Sequence, residues 1–159
     1  MRLTLGLLWL CGCAGTTAVQ QTHPLIAAEG AEKTQVYFIR PDPGFLGMND
    51  RPAHISLGGS ALLDLAKGQY TVLSLRPGSA EMKIESYTVA GPQNTITGVS
   101  TTRQLTLAAG TTQYLLFELV PQGGLSGYVV AARDVSREQA LALSRGLNPI
   151  GAAIQAPLQ

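Results

Sequence analysis

The chain has 159 residues, of which 45% are hydrophobic and only 13% charged, and its formal net charge is +1. This length fits one domain with its own core. Because its eleven basic residues form no cluster that could neutralise several phosphates together, strong nucleic-acid binding is excluded. The apolar runs are shorter than the roughly 20 residues of a membrane-spanning helix, so we expect a water-soluble body.

The N-terminus is predicted to be an export signal. Met1-Arg2 precedes an apolar stretch, residues 3–10, which is too short to remain in a bilayer. The next residues, Leu10-Cys11-Gly12-Cys13-Ala14, resemble the lipobox of bacterial lipoproteins, with Leu three residues before the modified cysteine and Gly or Ala just before it. The resemblance implies that residues 1–12 are a signal peptide, that cleavage falls between Gly12 and Cys13, and that Cys13 carries the lipid.

Cys11 is the alternative lipid site, but bulky Leu10 would then precede the cut, so Cys13 is favoured. One cysteine leaves with the signal and the other becomes a thioether, so the mature chain has no disulfide. Two or more acyl chains hold a protein firmly on a membrane. Ala14 in place of Asp implies an outer-membrane lipoprotein that faces the periplasm. The shortness of the signal leaves open a start upstream of Met1.

Residues 13–33 show no sustained hydrophobic period and are predicted to be a lipidated, flexible tether in which His23 is solvated. From Thr34 onward, short apolar runs between Gly and Pro turns predict β-strands. The first, residues 35–39, is apolar on both faces, as is typical of a central strand. A hairpin is predicted around Gly58-Gly59-Ser60. The strands predicted for this half of the domain are residues 35–39, 53–57, 61–65, 70–75 and 80–85.

The second half of the domain is predicted to contain a hairpin around Ala109-Gly110-Thr111, which joins strands 104–107 and 113–119, and a further strand over 128–133. Residues 87–100 fit either strand or loop and are interpreted as a loop excursion. Ser136 and Gln139 predict a capping box at the start of a helix that ends at Gly146 and turns Ala140, Leu143 and Leu147 inward.

These elements predict a mainly β fold, an antiparallel β-sandwich or open barrel of about seven strands with one C-terminal helix. The domain is expected to span residues 34–147, and residues 148–159 are expected to form a C-terminal tail.

Several motifs resemble a family of small bacterial lipoprotein domains of unknown function. Residues 36–41 are similar to its opening strand ending in Tyr-Arg-Pro, Phe45-Leu46-Gly47 to its Phe/Gly loop, and Arg76-Pro77-Gly78 to its Pro-Gly turn. The sequence departs from the family pattern at Ile39, where an aromatic residue is usual, and at residues 87–100, which look like an insertion. The resemblance implies a β-sandwich and no known catalytic residues.

Catalytic and metal-binding patterns are lacking in the sequence. Neither Gly58-Gly59-Ser60 nor Gly124-Leu125-Ser126-Gly127 completes the Gly-x-Ser-x-Gly of a nucleophile elbow, so both are interpreted as turns. His54 is predicted on an outward strand face with no second metal ligand nearby in sequence. The carboxylates that a glycosidase would need are better explained as solvated: Asp64, Glu81, Glu85 and Glu118. We therefore expect no enzyme activity, no metal and no cofactor.

A candidate interaction loop follows the first strand, between Pro41 and Pro52. Arg40 at its start is expected to pin the loop by pairing with Asp42, Asp50 or Glu118, since half-buried arginines usually pair. The alternative is that Arg40 binds an anion or carboxylate. The residues assigned to this loop site are Arg40, Asp42, Phe45, Asp50 and Arg51.

The function expected from these features is that of a noncatalytic accessory or protein-interaction module in the cell envelope, anchored to the membrane through Cys13 and docking on an envelope or periplasmic protein. The alternative is a module that binds an envelope glycan or small ligand. Its contact surface would come from the tyrosines, although the mature chain has no tryptophan for sugar stacking: Tyr37, Tyr70, Tyr87, Tyr114 and Tyr128.

Overall fold

A computed structural model of the protein describes residues 22–44, 51–90, 95–121 and 127–159. The predicted signal peptide, Gly12 and Cys13 lie outside these ranges, as do Phe45 and Asp50. Helix α1 spans Arg137–Ser144, and a 3₁₀ helix spans Gly151–Ile154. The strands are β1 Thr34–Arg40, β2 Ala53–Leu57, β3 Ser60–Leu65, β4 Gln69–Leu75, β5 Gly78–Ala90, β6 Thr95–Leu107, β7 Thr112–Pro121, β8 Tyr128–Asp134 and β9 Asn148–Pro149.

The strands form two sheets, one of five strands in the order β8-β7-β1-β4-β9 and one of four in the order β3-β2-β5-β6. The predicted mainly β sandwich with one C-terminal helix is confirmed. The five-stranded sheet is mixed, however, because β1 runs antiparallel to β4 and parallel to β7. Alternating apolarity reports which faces are buried but not the direction of the neighbouring strand, so the sequence could not distinguish the two cases.

Strand β1 lies in the middle of its sheet and is covered on both faces, as predicted. Val36 and Phe38 face the main core between the two sheets, where the Phe38 and Phe117 rings stack with centroids 5.8 Å apart. Ile39 faces a second core on the outer side of the sheet, where α1 and the 3₁₀ helix contribute Ala140 and Ala153. The predicted capping box of α1 is also confirmed.

The hairpin predicted around Ala109-Gly110-Thr111 is wrong, because β6 and β7 belong to different sheets. The turn forms, with Gly110 at a φ of 71°, but it carries the chain across the sandwich. Hydrogen bonds from Thr34 Oγ1 to the Ala108 carbonyl and from the Gln35 N–H to the Thr111 carbonyl tie it to β1. A glycine turn is compatible with either connection, so only the long-range pairing decides.

The loop excursion expected over residues 87–100 is also wrong. Strands β5 and β6 pair in continuous antiparallel register from Gly78 opposite Leu107 to Ala90 opposite Thr95. This region extends beyond β2, whose pairing with β5 ends at His54 opposite Glu85. The extension lacks the clean apolar alternation of a half-buried strand, which is why the sequence pattern left it ambiguous.

His23, expected to be solvated in a tether, is only 5% exposed. Its Nε2 lies 3.1 and 3.2 Å from the carbonyls of Leu57 and Ser60, and its Nδ1 accepts from the N–H of Leu25. Ile26 then forms a bridge with Leu75 at the end of β4. The end of the predicted tether is therefore docked on the sandwich by polar contacts that leave no hydrophobic period in the sequence.

Residues 148–154, assigned to a C-terminal tail, complete the five-stranded sheet instead. β9 pairs with β4 in parallel, Ile150 enters the main core, and its carbonyl accepts from the buried Thr71 hydroxyl at 2.9 Å. A two-residue strand is shorter than any periodic pattern that a sequence can reveal.

The outer edge of β8 is covered by side chains instead of by another strand. The Val130 N–H donates to Ser86 Oγ, and the Val130 carbonyl accepts from Thr101 Oγ1 at 2.8 Å. The Ala132 carbonyl accepts from Arg103 Nη1 at 3.1 Å. Inward-facing polar residues of β5 and β6 thus satisfy backbone groups that an exposed edge would leave free.

We predict that Thr101→Val lowers the free energy of unfolding by about 1–3 kcal/mol, because the isosteric side chain leaves the Val130 carbonyl without a partner. Denaturant unfolding of the purified protein measures the change. The matched control, Thr102→Val, is exposed on the opposite face of the same strand and is expected to change stability by less than about 0.5 kcal/mol. Equal effects of the two substitutions would contradict this account of the edge.

Candidate functional site

A cleft of about 370 Å³ opens where β1 ends, and we call it the edge cleft. Its apolar lining comes from β7, β8, α1 and two prolines after β1, and its charged lining from β1, β7, β8 and the turn before β4. The apolar residues are Pro41, Pro43, Leu116, Phe117, Leu119, Val130 and Leu143; the charged ones are Arg40, Lys67, Glu118 and Arg133.

The edge cleft exists because β1 stops before its neighbour does. The pairing of β1 with β7 ends at Ile39 opposite Leu116, whereas β7 continues to Pro121 alongside β8. In the parallel register of this pair, the next donor toward the Phe117 carbonyl would be the N–H of residue 41. That residue is Pro41, which has no N–H, so the ladder cannot continue and the chain leaves the sheet.

Backbone groups of β7 point into the space that a longer β1 would occupy, and we call this space the lane. Val130 and Ala132 of β8 direct hydrogen-bonding groups away from β7, toward Ser86, Thr101 and Arg103. Their partners on β7, Leu119 and Phe117, therefore occupy non-hydrogen-bonded positions relative to β8. The N–H and C=O groups of Leu119 and Phe117 point away from β8, to the side of β7 where β1 lies. Among the described residues, no group hydrogen-bonds the Leu119 backbone on that side.

Arg40, the last residue of β1, lines the edge cleft and is only 4% exposed. Its Nη1 donates to the Leu65 carbonyl at 2.6 Å and to the Arg51 carbonyl at 3.3 Å. The expected pinning role is present, because Arg51 lies at the far end of the loop that Arg40 opens. Of the expected carboxylate partners, Asp42 lies near Lys67, Glu118 pairs with Arg133, and Asp50 lies outside the described residues.

The charge of Arg40 is therefore buried without a described counter-ion. Desolvation by burial lowers the pKa of its guanidinium. The donors on Nη2 and Nε have no hydrogen-bond partner among the described residues. This is an energetically costly arrangement for a cation inside a protein.

The other predicted loop residues are not brought together. Asp42 accepts from the Gly44 N–H at 2.9 Å and lies 3.9 Å from Lys67 Nζ, beside the edge cleft. The Arg51 guanidinium instead lies 4.7 Å from the centroid of the Tyr87 ring, on the outer face of the four-stranded sheet. Phe45 and Asp50 fall outside the described residues.

That outer face carries a second, more polar cleft of about 320 Å³, lined by residues that include His54, Glu85 and Ser100. His54 Nδ1 lies 2.6 Å from Asp64 Oδ1, a partner that the predicted β2–β3 hairpin register would have placed opposite it. The hydrogen bond from Lys83 at 2.8 Å lowers the pKa of the exposed Glu85. Over the described ranges, no three His, Cys, Asp or Glu side chains lie together as a metal site would require.

The five tyrosines of the glycan alternative do not share one surface, because three lie together and two lie elsewhere. Tyr37 and Tyr114 stack with centroids 5.3 Å apart in the second core, where Tyr70 is 5% exposed. Tyr87 and Tyr128 belong to strands β5 and β8 elsewhere. Desolvation raises the pKa of Tyr37, and Tyr114 and Tyr70 add to the shift.

We predict that the raised pKa of Tyr37 makes stability fall in alkali. The unfolded chain ionises this group near pH 10, whereas the folded chain resists ionisation, so the stabilisation is complete below about pH 10 and is lost as the pH rises above it. Tyr37→Phe should reduce the decrease in unfolding free energy between pH 9 and pH 11, measured by denaturant titration. Tyr128→Phe, at a side chain that is 43% exposed, is the control, and an equal change in both would contradict the prediction.

Comparison of the chain with protein-family models, curated proteins and solved structures finds no match in any of the three.

Proposed function

We propose that the protein is a noncatalytic interaction module of the bacterial cell envelope, anchored by lipid on Cys13. The observation that carries this proposal is the edge cleft, where the β7 edge beyond Leu116 pairs with no described strand and lies beside apolar side chains. Strand edges of this kind bind extended segments of partner proteins by main-chain hydrogen bonds, with side-chain pockets adding specificity.

The contrast between the two edges of the β7–β8 pair supports this proposal. The β8 edge is covered by Ser86, Thr101 and Arg103, whereas the β7 edge beyond Leu116 has no equivalent cover among the described residues. Exposed strand edges favour aggregation, and proteins commonly protect them. When one edge of a strand pair is protected and the other edge is open, the open edge is typical of a binding surface.

The anchor rests on the lipobox resemblance of Leu10-Cys11-Gly12-Cys13 and on the resemblance to small bacterial lipoprotein domains. Both stay predictions, as does the outer-membrane address. No helix within the described ranges is long and apolar enough to cross a bilayer. Because a chain extends at most about 3.5 Å per residue, the docked His23 would lie no more than roughly 35 Å from a lipid on Cys13. The edge cleft would then serve partners close to the membrane.

We predict that labelled palmitate is incorporated into the protein in a bacterial host and that Cys13→Ala abolishes the label. The matched control is Cys11→Ala, which should remain labelled because that residue leaves with the signal peptide. Intact mass of the mature product should show an acylated N-terminal cysteine. Labelling that follows Cys11, or a mature product without fatty acid, would contradict the proposed anchor.

A photo-crosslinking amino acid in place of Arg133, whose side chain is 52% exposed at the rim of the edge cleft, should capture a defined envelope protein in intact cells. The same amino acid in place of Thr102, on the outer face of the other sheet, should not. Losing the surface pair of Arg133 with Glu118 costs little stability, so the variant is expected to fold. Identical products from both positions, or no protein product from either, would contradict the proposal.

A second candidate function, binding of an envelope glycan or small ligand, is favoured by the polar cleft beside His54 and Glu85, where Tyr87 offers a ring. In the crosslinking experiment this alternative predicts murein fragments attached at Thr102 and none at Arg133.

A further inference from the structure

We propose that the partner segment is the free C-terminus of a polypeptide, bound as a strand antiparallel to β7, with its carboxylate on Arg40. This inference rests on the proposed function and specifies which part of a partner enters the edge cleft.

The first step is the shape of the edge cleft. Four consecutive residues of β7, from Leu116 to Leu119, line it. Successive side chains of a strand point to opposite faces, so four neighbours can share one cleft only if the cleft runs along the strand edge. The space is therefore a lane for an extended chain, directly in line with β1.

The second step is hydrogen bonding. The Phe117 carbonyl and both backbone groups of Leu119 point into this lane, and Pro41 supplies no donor to it. A polypeptide in the lane would form hydrogen bonds with these groups, as β1 does with the backbone of the preceding part of β7. A fatty acid or sugar has no regularly spaced donors and acceptors to do so.

The third step is the pair of walls. Phe117, Leu119 and Val130 belong to the side of the sheet that faces the main core, whereas Leu116 and Leu143 belong to the side that α1 covers. An added strand directs alternate side chains to these two sides, and each offers apolar residues, although charged residues also line the side of α1. The lane therefore fits a segment with apolar residues at successive positions.

The fourth step fixes the polarity of the bound segment. β1 closes one end of the lane, so a chain that fills it must terminate there, next to Arg40. An ammonium group would be repelled by the buried guanidinium, whereas a carboxylate would meet the donors on Nη2 and Nε that have no described partner. A C-terminus that points at the end of β1 runs antiparallel to β1 and hence to β7, because those two strands are parallel.

The test uses the purified full-length protein in detergent micelles. The probe is a pool of N-acetylated hexapeptides with four randomised C-terminal residues, prepared both as free acids and as C-terminal amides. The expected result is selection of free acids with apolar final residues, and binding of their amides weaker by about ten-fold or more. Equal binding of selected acids and amides would overturn the carboxylate assignment.

Two variants keep the test independent of folding defects. Arg40→Gln should remove the difference between acid and amide, and its circular dichroism spectrum checks the fold. Leu143→Trp fills the lane from α1 without touching the Arg40 hydrogen bonds and should reduce binding of every selected peptide by about ten-fold or more. Lys83→Gln, at a partly exposed residue on the outer face of the four-stranded sheet, is the control and should change binding less than three-fold, roughly the effect of one surface charge.

The outcomes separate this inference from the proposed function. If Arg133 captures an envelope protein in cells but no pool member binds, the partner does not use a C-terminus, and only this inference fails. If dodecanoate binds in an Arg40-dependent manner and no peptide does, a small amphiphile occupies the lane and the peptide assignment is overturned. If the crosslink fails as well, the proposed function fails with it.

Discussion

The length of β1 is the constraint on which the rest of the structure depends. This strand lies at the centre of the five-stranded sheet, between β4 and β7, and each of its two faces contributes side chains to one of the two cores. Burial of Val36 and Phe38 on one side and Ile39 on the other fixes its position. Pro41 then fixes where it stops, because without an N–H it cannot continue the ladder with β7. The apolar residues of β1 and the proline that follows them thus produce both the buried centre of the sheet and the edge cleft beside it.

The two sides of the β7–β8 pair show how differently the fold treats two similar edges. On the β8 side, Ser86 and Thr101 take inward positions in strands that also direct apolar residues inward, such as Met82 and Leu105. Placing polar groups there is favourable only because each finds a backbone partner. On the β7 side, the equivalent backbone groups meet the apolar edge cleft. Under the proposed function, stability and binding would depend on opposite edges of one strand pair.

The sequence predicted what local patterns encode. Alternation located β2 and the inward residues of β5, the apolar run located β1, and Ser136 with Gln139 located the start of α1. It failed where long-range pairing decides between locally equivalent outcomes, as at the Gly110 turn and in the docking of His23. Arg40 was recognised as a candidate site residue. Its carbonyl partners, Leu65 in β3 and Arg51 before β2, and the end of β7 beside it could not be predicted, because they do not follow from spacing along the chain.

Arg40 connects the fold to its proposed use. A guanidinium that is 4% exposed is costly to desolvate, and among the described residues it donates hydrogen bonds only to the Leu65 and Arg51 carbonyls. An apolar side chain there could fill the space without this cost. A charge retained at the closed end of an apolar lane is more easily explained if a bound anion completes its environment. Arg40 would then contribute little to the stability of the unliganded protein and much to that of the complex, because the carboxylate of the bound segment supplies the counter-charge.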